Sequence, residues 1–262
     1  METHMIFETH AHYDDDAFNE DREILLDSMN ENGIGYIVNA CASLESLKET
    51  EELTEKYPFV YGAFGIHPDD AEKMTEDTLQ EIRRLVRLPK AVAIGEIGLD
   101  YYWHKEEQEH AVQKKMFLAQ MEIAREEKMP FMIHSRDAAK DTLDIVKDCM
   151  SGGMYGGIIH CFSYGKEMAR EYLNMGLYLG IGGVVTFKNA KKLKEVVEYA
   201  PLEQLVLETD SPYLSPEPNR GKRNSSLNLS YVAEMIAELK GVSKEEVIAV
   251  TEENAKQLLL RK

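Results

Sequence analysis

Cysteine is scarce in this sequence. Cys41, Cys149 and Cys161 are the three present, odd in number and far apart. That excludes a disulfide scaffold and fits a reduced, cytoplasmic chain. No apolar run approaches the ~20 residues that cross a bilayer, so no membrane span is expected. The opening Met1-Glu2-Thr3-His4-Met5 lacks a basic segment followed by an apolar one, so no secretory leader is expected. Basic charge is also short. Lys and Arg number 30 against 47 Asp and Glu, for a net charge of −17. Polyanions are drawn to basic surface, so the acidity argues against generic nucleic-acid affinity, and any nucleic acid must be held by a local basic patch or by metal. Linkers, low-complexity stretches and a conspicuous apolar surface stripe are missing too. Residues 1–262 are therefore expected to form a single domain and a monomer, long enough to bury a sizeable core.

What is there is an alternation of short apolar segments with longer amphipathic ones. Strands are expected at Met5–Thr9, Tyr36–Ala40, Val60–Ile66, Ala91–Ile97, Pro130–His134, Gly157–Cys161, Tyr178–Gly182 and Gln204–Thr209. They are rich in Val, Ile, Tyr and Phe, as strands buried on both faces are. Helical spacing runs through Asp21–Asn32, Ser43–Lys56, Glu76–Arg87, Gln113–Glu126, Asp137–Met150 and Asn189–Tyr199, and a helix pair closes the chain at Ser230–Lys240 and Ser243–Leu260. Strand ends recur about every 30 residues, the size of a strand-helix unit. Eight such units predict an α/β fold, the (β/α)8 TIM barrel. No Gly-rich phosphate loop follows the first strand, which weakens a dinucleotide-binding reading.

Of eight histidines, five (His10, His12, His67, His134, His160) stand at or just past a strand's C-terminal end. In a barrel those ends form the face that carries the active site. A single histidine there is more often a hydrogen-bonded core residue, but five on one face point to metal, which imidazole binds most often. His10 and His12 are two apart on a strand and so share a side. Glu96 lies inside the apolar run Ala93-Ile94-Gly95-Glu96-Ile97-Gly98, where a carboxylate is costly unless paired or metal-bound. Glu208 and Asp210 are expected as two inward carboxylates on the last strand. Four imidazoles (His10, His12, His134, His160) and two carboxylates (Glu96, Asp210) suffice for two metal ions with positions open to water or substrate.

Several blocks then carry a resemblance over nearly the whole chain: Phe7-Glu8-Thr9-His10-Ala11-His12, Gly65-Ile66-His67-Pro68, Gly95-Glu96-Ile97-Gly98-Leu99-Asp100-Tyr101-Tyr102, His134-Ser135-Arg136-Asp137, His160-Cys161-Phe162-Ser163, Thr186-Phe187-Lys188-Asn189, Glu208-Thr209-Asp210-Ser211-Pro212 and Arg220-Gly221-Lys222-Arg223-Asn224. In this order they resemble the TatD-type metal-dependent deoxyribonucleases, amidohydrolase-like TIM barrels. The resemblance implies that His10, His12, Glu96 and Asp210 hold one divalent ion. His134, His160 and Glu96 would hold a second, with Glu96 as the bridge. It favours Mg²⁺, with Mn²⁺ and Zn²⁺ as alternatives that this ligand mixture also suits. It implies 3′-to-5′ exonuclease action on single-stranded or end-exposed DNA, and on RNA. The ion would lower the pKa of a coordinated water and supply hydroxide near neutral pH. Asp210 would accept or orient that water's proton, making Asp210 and Glu96 the catalytic carboxylates. Two departures stand out: Glu8 where the family has Asp, which bears on support of the ligands and not on their number, and Tyr164 where it often has Gly.

Arg136 can grip a phosphate, or pair with Asp137. His67 can donate to a phosphate, or pack beside Pro68. Arg220, Lys222 and Arg223 form the densest basic cluster, either a phosphate clamp after the last strand, with Lys222 and Arg223 as its contacts, or a solvated loop. Tyr101, Tyr102 and Trp103 can stack on unpaired bases, or plug the space under the helices. Cys161 is expected as a small buried hydrophobe facing away from His160. Beside the nuclease stand two other readings. One is an amide or ester hydrolase using the same centre, such as a deacylase on aminoacyl-tRNA, which the net charge of −17 mildly favours. The other is a non-catalytic metal-binding module.

Overall fold

Short buried strands need mostly apolar side chains on both faces, and most positions of the strands here are apolar. The computed structural model describes residues 4–260. Residues 1–3, which open the segment read above for a leader, and 261–262, which end the expected domain, lie outside the described residues. The strands are β1 (Ile6–Ala11), β2 (Ile34–Ala40), β3 (Val60–Ala63), β4 (Ala91–Asp100), β5 (Phe131–Arg136), β6 (Gly157–Ile159), β7 (Tyr178–Ile181) and β8 (Leu205–Leu207). They follow one another in sheet order β1 to β8 with helices between them, the (β/α)8 barrel class. The helices are α1 (Arg22–Asp27), α2 (Leu44–Lys56), α3 (Glu76–Leu85), α4 (Glu107–Glu126), α5 (Ala139–Ser151), α6 (Lys166–Asn174), α7 (Lys191–Tyr199), α8 (Leu229–Lys240) and α9 (Lys244–Leu259). No described helix is long and apolar enough to cross a membrane.

By Cα proximity the residues group into two compact units, Met1–Asn39 with Cys161–Asn174 and Tyr178–Lys262, and Ala40–His160 with Met175–Leu177. In the first, β1 pairs in parallel with β2 through Phe7↔Tyr36 and Ala11↔Asn39. β1 also meets the segment after β8: Asp210 N–H donates to His10 C=O at 3.0 Å and His12 N–H to Ser211 C=O at 2.8 Å. Buried Glu8 fastens this junction. It accepts from Thr209 N–H (2.9 Å), Thr209 Oγ1 (2.6 Å), Ser226 Oγ (3.0 Å) and His10 N–H (3.1 Å). The glutamate that departs from the family pattern is thus a clasp between β1 and the chain that follows β8. Removing it strands buried donors, each worth about 1–3 kcal/mol. Glu8→Ala is expected to destabilise the protein by about 3–4 kcal/mol, read as a lower urea midpoint.

In the second unit, β4 pairs with β5 in register Gly98↔His134 and Asp100↔Arg136. Helix α4 supports the strand ends through two buried glutamines two turns apart. Gln113 exchanges hydrogen bonds with the Asp100 backbone at 3.0 and 3.1 Å. Gln120 does the same with Ile66 at 2.8 and 3.1 Å. Each glutamine satisfies one N–H and one C=O where the ladder ends, as buried backbone requires.

Several strand limits differ from expectation. β3 stops at Ala63, so His67 stands past the strand as N-cap of a 3-10 turn, Pro68–Lys73. β6 stops at Ile159, and Cys161 takes a left-handed conformation with φ +45°. β8 stops at Leu207, so Glu208 and Asp210 are not strand neighbours sharing a side. Asp210 has φ +59°, a left-handed conformation that Asp tolerates better than most residues. The expected helix Asp21–Asn32 is α1 plus a 3-10 turn, Asn30–Asn32, closed by Gly33 at φ +82°. Helix α6 was not foreseen.

Candidate metal centre

Each unit carries one set of converging donor atoms. In the first, His10 and His12 lie on and just past β1, and both are buried. Their Nε2 atoms face each other at 3.3 Å, and His12 Nε2 stands 3.3 Å from Asp210 Oδ1. The left-handed turn at Asp210 aims its carboxylate back at β1. Glu208 instead accepts from Cys161 N–H at 2.5 Å and so holds the turn after β6. Cys161 itself is half-buried and not sealed in the core. A small pocket lined by Phe162, Val184, Leu193 and Leu214 also takes in Asp210.

The second set gathers around Glu96, buried on β4. His134 Nδ1 lies 2.8 Å from Glu96 Oε1, His160 Nε2 3.7 Å and His67 Nε2 3.8 Å. The other side of His134 is held by Asp100, with Nε2 to Oδ2 at 3.1 Å. Asp100 was not among the expected site residues. Its signal was present, a second carboxylate four residues after Glu96 on the same apolar strand. Carboxylate support behind a ligand imidazole is a common feature of metal sites.

Whether these sets suit a divalent ion can be judged from their edges. With donors at about 2.0–2.2 Å from an ion, neighbours in tetrahedral or octahedral shells sit about 2.8–3.6 Å apart. The 3.3 Å separations in the first set and the 2.8 Å separation in the second fall inside that range. The 3.7 and 3.8 Å separations lie just outside it. The donor chemistry, imidazole with carboxylate, fits Mg²⁺, Mn²⁺ or Zn²⁺.

His67 is oriented differently from the rest. Asp69 N–H donates to its Nδ1 at 3.2 Å. Its Nε2 faces Glu96 at 3.8 Å. Electrostatics at His134 set a proton against a metal. Burial opposes its charge, but hydrogen bonds to Asp100 and Glu96 prevail and push its pKa up to about 9. A ligand imidazole must be deprotonated, so ion binding there releases a proton. Metal affinity is expected to rise by up to about tenfold per pH unit toward pH 9 and then level off. Proton release, from calorimetry in buffers of differing ionisation enthalpy, checks this.

Arg136 does not pair with Asp137; its guanidinium lies 3.9 Å over the Tyr102 ring. Lys222 is exposed. Arg223 is held by Asp21 at 2.6 and 2.7 Å and by Ala17 C=O at 2.7 Å, so its guanidinium already anchors the loop. Arg220 lies over Phe187 at 4.2 Å. Tyr101 stacks on His110 and donates to Asp141, whereas Tyr102 and Trp103 are exposed and plug nothing. Of the histidines set aside, His4 pairs with Glu252 and His104 with Asp69 and Glu109.

Residues 7–260 match the TatD related DNase family. The chain belongs to that family. TatD relatives include the uncharacterized metal-dependent hydrolase YabD of Bacillus subtilis, 44% identical over 97% of this chain and 98% of that protein. The 3′-5′ ssDNA/RNA exonuclease TatD of Citrobacter rodentium is 34% identical over 86% of this chain and 87% of that one. The crystal structure of YJJV, a TatD homologue from Escherichia coli K12, superposes with TM-score 0.90 at 27% identity, covering 98% of each chain. The protein is thus a metal-dependent hydrolase of the TatD family with its TIM-barrel fold, and its His, Glu and Asp clusters are able to bind metal.

Proposed function

We propose that this protein hydrolyses phosphodiester bonds as a 3′-to-5′ exonuclease on single-stranded or end-exposed DNA, and on RNA. One observation carries the reading: imidazole and carboxylate donors spaced like the edges of a metal shell, in a chain of a family named for DNases. The name of the Citrobacter relative supports the polarity and substrate. In this reading residues 1–262 act as one domain. His10, His12 and Asp210 would hold one ion, and Glu96, His134 and His160 a second. Mg²⁺ is the proposed metal at both positions, in a cytoplasmic monomer.

Divalent ions bound there would lower the pKa of water and neutralise charge on the phosphoryl oxygens. The chain's own residues do the rest. Asp210, held at one edge of the first set, takes the proton of the attacking water. His67 donates from Nε2 to a phosphoryl oxygen. Arg136 and Lys222 supply cationic contacts to flanking phosphates, as a guanidinium and an ammonium do. Arg223 contributes by fixing the loop that presents Lys222.

Oligonucleotides labelled at the 3′ or the 5′ end, offered beside a panel of amides, lactones and aminoacyl esters, test the reading. The expected result is a metal-dependent ladder from the 3′ end. Turnover confined to the amide or ester panel would overturn it in favour of that second chemistry. Metal uptake without turnover of any substrate would leave a binding module.

A further inference from the structure

We propose that Trp103, Tyr102 and Arg136 form a stacking platform that seats an unpaired nucleobase of a single-stranded substrate beside the metal centre. This rests on the phosphodiesterase reading above and names the residues that receive an unpaired base of that substrate. Trp103 is 64% exposed and Tyr102 40% exposed, although burying such rings is worth about 1.5–3 kcal/mol each. They are nonetheless held in place. Asp100 Oδ1 accepts from Tyr102 N–H at 2.9 Å and from Trp103 N–H at 3.1 Å. The two rings meet edge to face, centroids 4.7 Å apart.

Cations stand over this pair in a chain that is otherwise strongly acidic. Arg136 Cζ lies 3.9 Å from the Tyr102 centroid and 5.6 Å from that of Trp103, and Lys105 Nζ lies 5.2 Å from Tyr102. Exposed aromatic faces interleaved with cations match bases interleaved with phosphates. The position also fits. Asp100, which pins the platform's backbone, bonds His134 through its other oxygen. Arg136 lies two residues beyond His134 on β5 and so on the same side. A base in a duplex is already paired and stacked, so the platform selects single strands or frayed ends.

Trp103 is the sole tryptophan, so indole emission reports on it alone. The protein in EDTA is titrated with an oligo-dT octamer, an abasic octamer of equal charge and a short duplex, with binding followed separately by anisotropy of a labelled octamer. Emission should change with oligo-dT and not with the abasic strand or the duplex. Trp103→Ala should weaken oligo-dT binding by about 5- to 150-fold, and Trp103→Phe should restore most of it. Saturable oligo-dT binding with unchanged emission, or an equal change with the abasic strand, overturns the platform and leaves the phosphodiesterase reading standing. An emission change selective for oligo-dT, without cleavage when metal is added, supports the platform and fails that reading. Absence of binding by anisotropy overturns the platform and leaves the phosphodiesterase reading, in which metal holds the substrate, standing.

Discussion

Glu96→Gln is expected to reduce hydrolysis by roughly a thousandfold or more. Ion-based stabilisation of developing charge is worth several kcal/mol, and each 1.36 kcal/mol is about tenfold in rate. Glu96 is the one carboxylate around which His134, His160 and His67 gather, at 2.8, 3.7 and 3.8 Å. An amide keeps the side chain's shape while removing its charge. The barrel should therefore persist while ion binding falls. Equilibrium dialysis with Mn²⁺, beside far-ultraviolet circular dichroism, separates the two effects. A folded variant that retains full metal stoichiometry and rate would remove Glu96 from the centre.

Gly98→Ala should be the most damaging small substitution near the site. Gly98 has φ +146°, a conformation that any side chain strains. A Cβ there would stand 2.0 Å from the carbonyl oxygen of His134, its partner in the β4–β5 ladder. Accommodating a methyl group requires β4 to leave β5, and the contact is with backbone, which cannot rotate away. The expected cost is about 3–5 kcal/mol, or no folded protein at all. Urea unfolding with near-ultraviolet circular dichroism checks it. A midpoint within error of the parent would show that β4 and β5 are looser at this point than the ladder implies.

The strand-helix rhythm, and with it the fold class, was legible because it is a local pattern: apolar β-branched runs and helical spacing recur along the chain. His10 and His12 were legible for the same reason, since alternation on a strand places both on one side. Features that depend on distant parts of the chain were not. The reach of Asp210 toward His12 comes from a left-handed turn that alternation does not foresee. His67 stands by Glu96 because β3 ends early and a 3-10 turn begins, capped by the histidine's own ring. Gln113 and Gln120 read as ordinary polar positions on α4, yet they close the backbone beside Asp100 and before His67. Arg223 sat in the densest basic stretch, and nothing in that stretch signals a partner as remote as Asp21. Charge density along a chain marks where cations are, not which of them remain available.

In the proposed function these donor sets hold divalent ions that drive phosphodiester cleavage. The most direct test is cleavage of a single-stranded oligonucleotide by metal-stripped protein as Mg²⁺ or Mn²⁺ is added back, with His134→Ala run in parallel. The expected result is no cleavage in EDTA, recovery that saturates as ions bind, and no recovery in the variant. Cleavage that persists in EDTA, or that the variant restores in full, would contradict it.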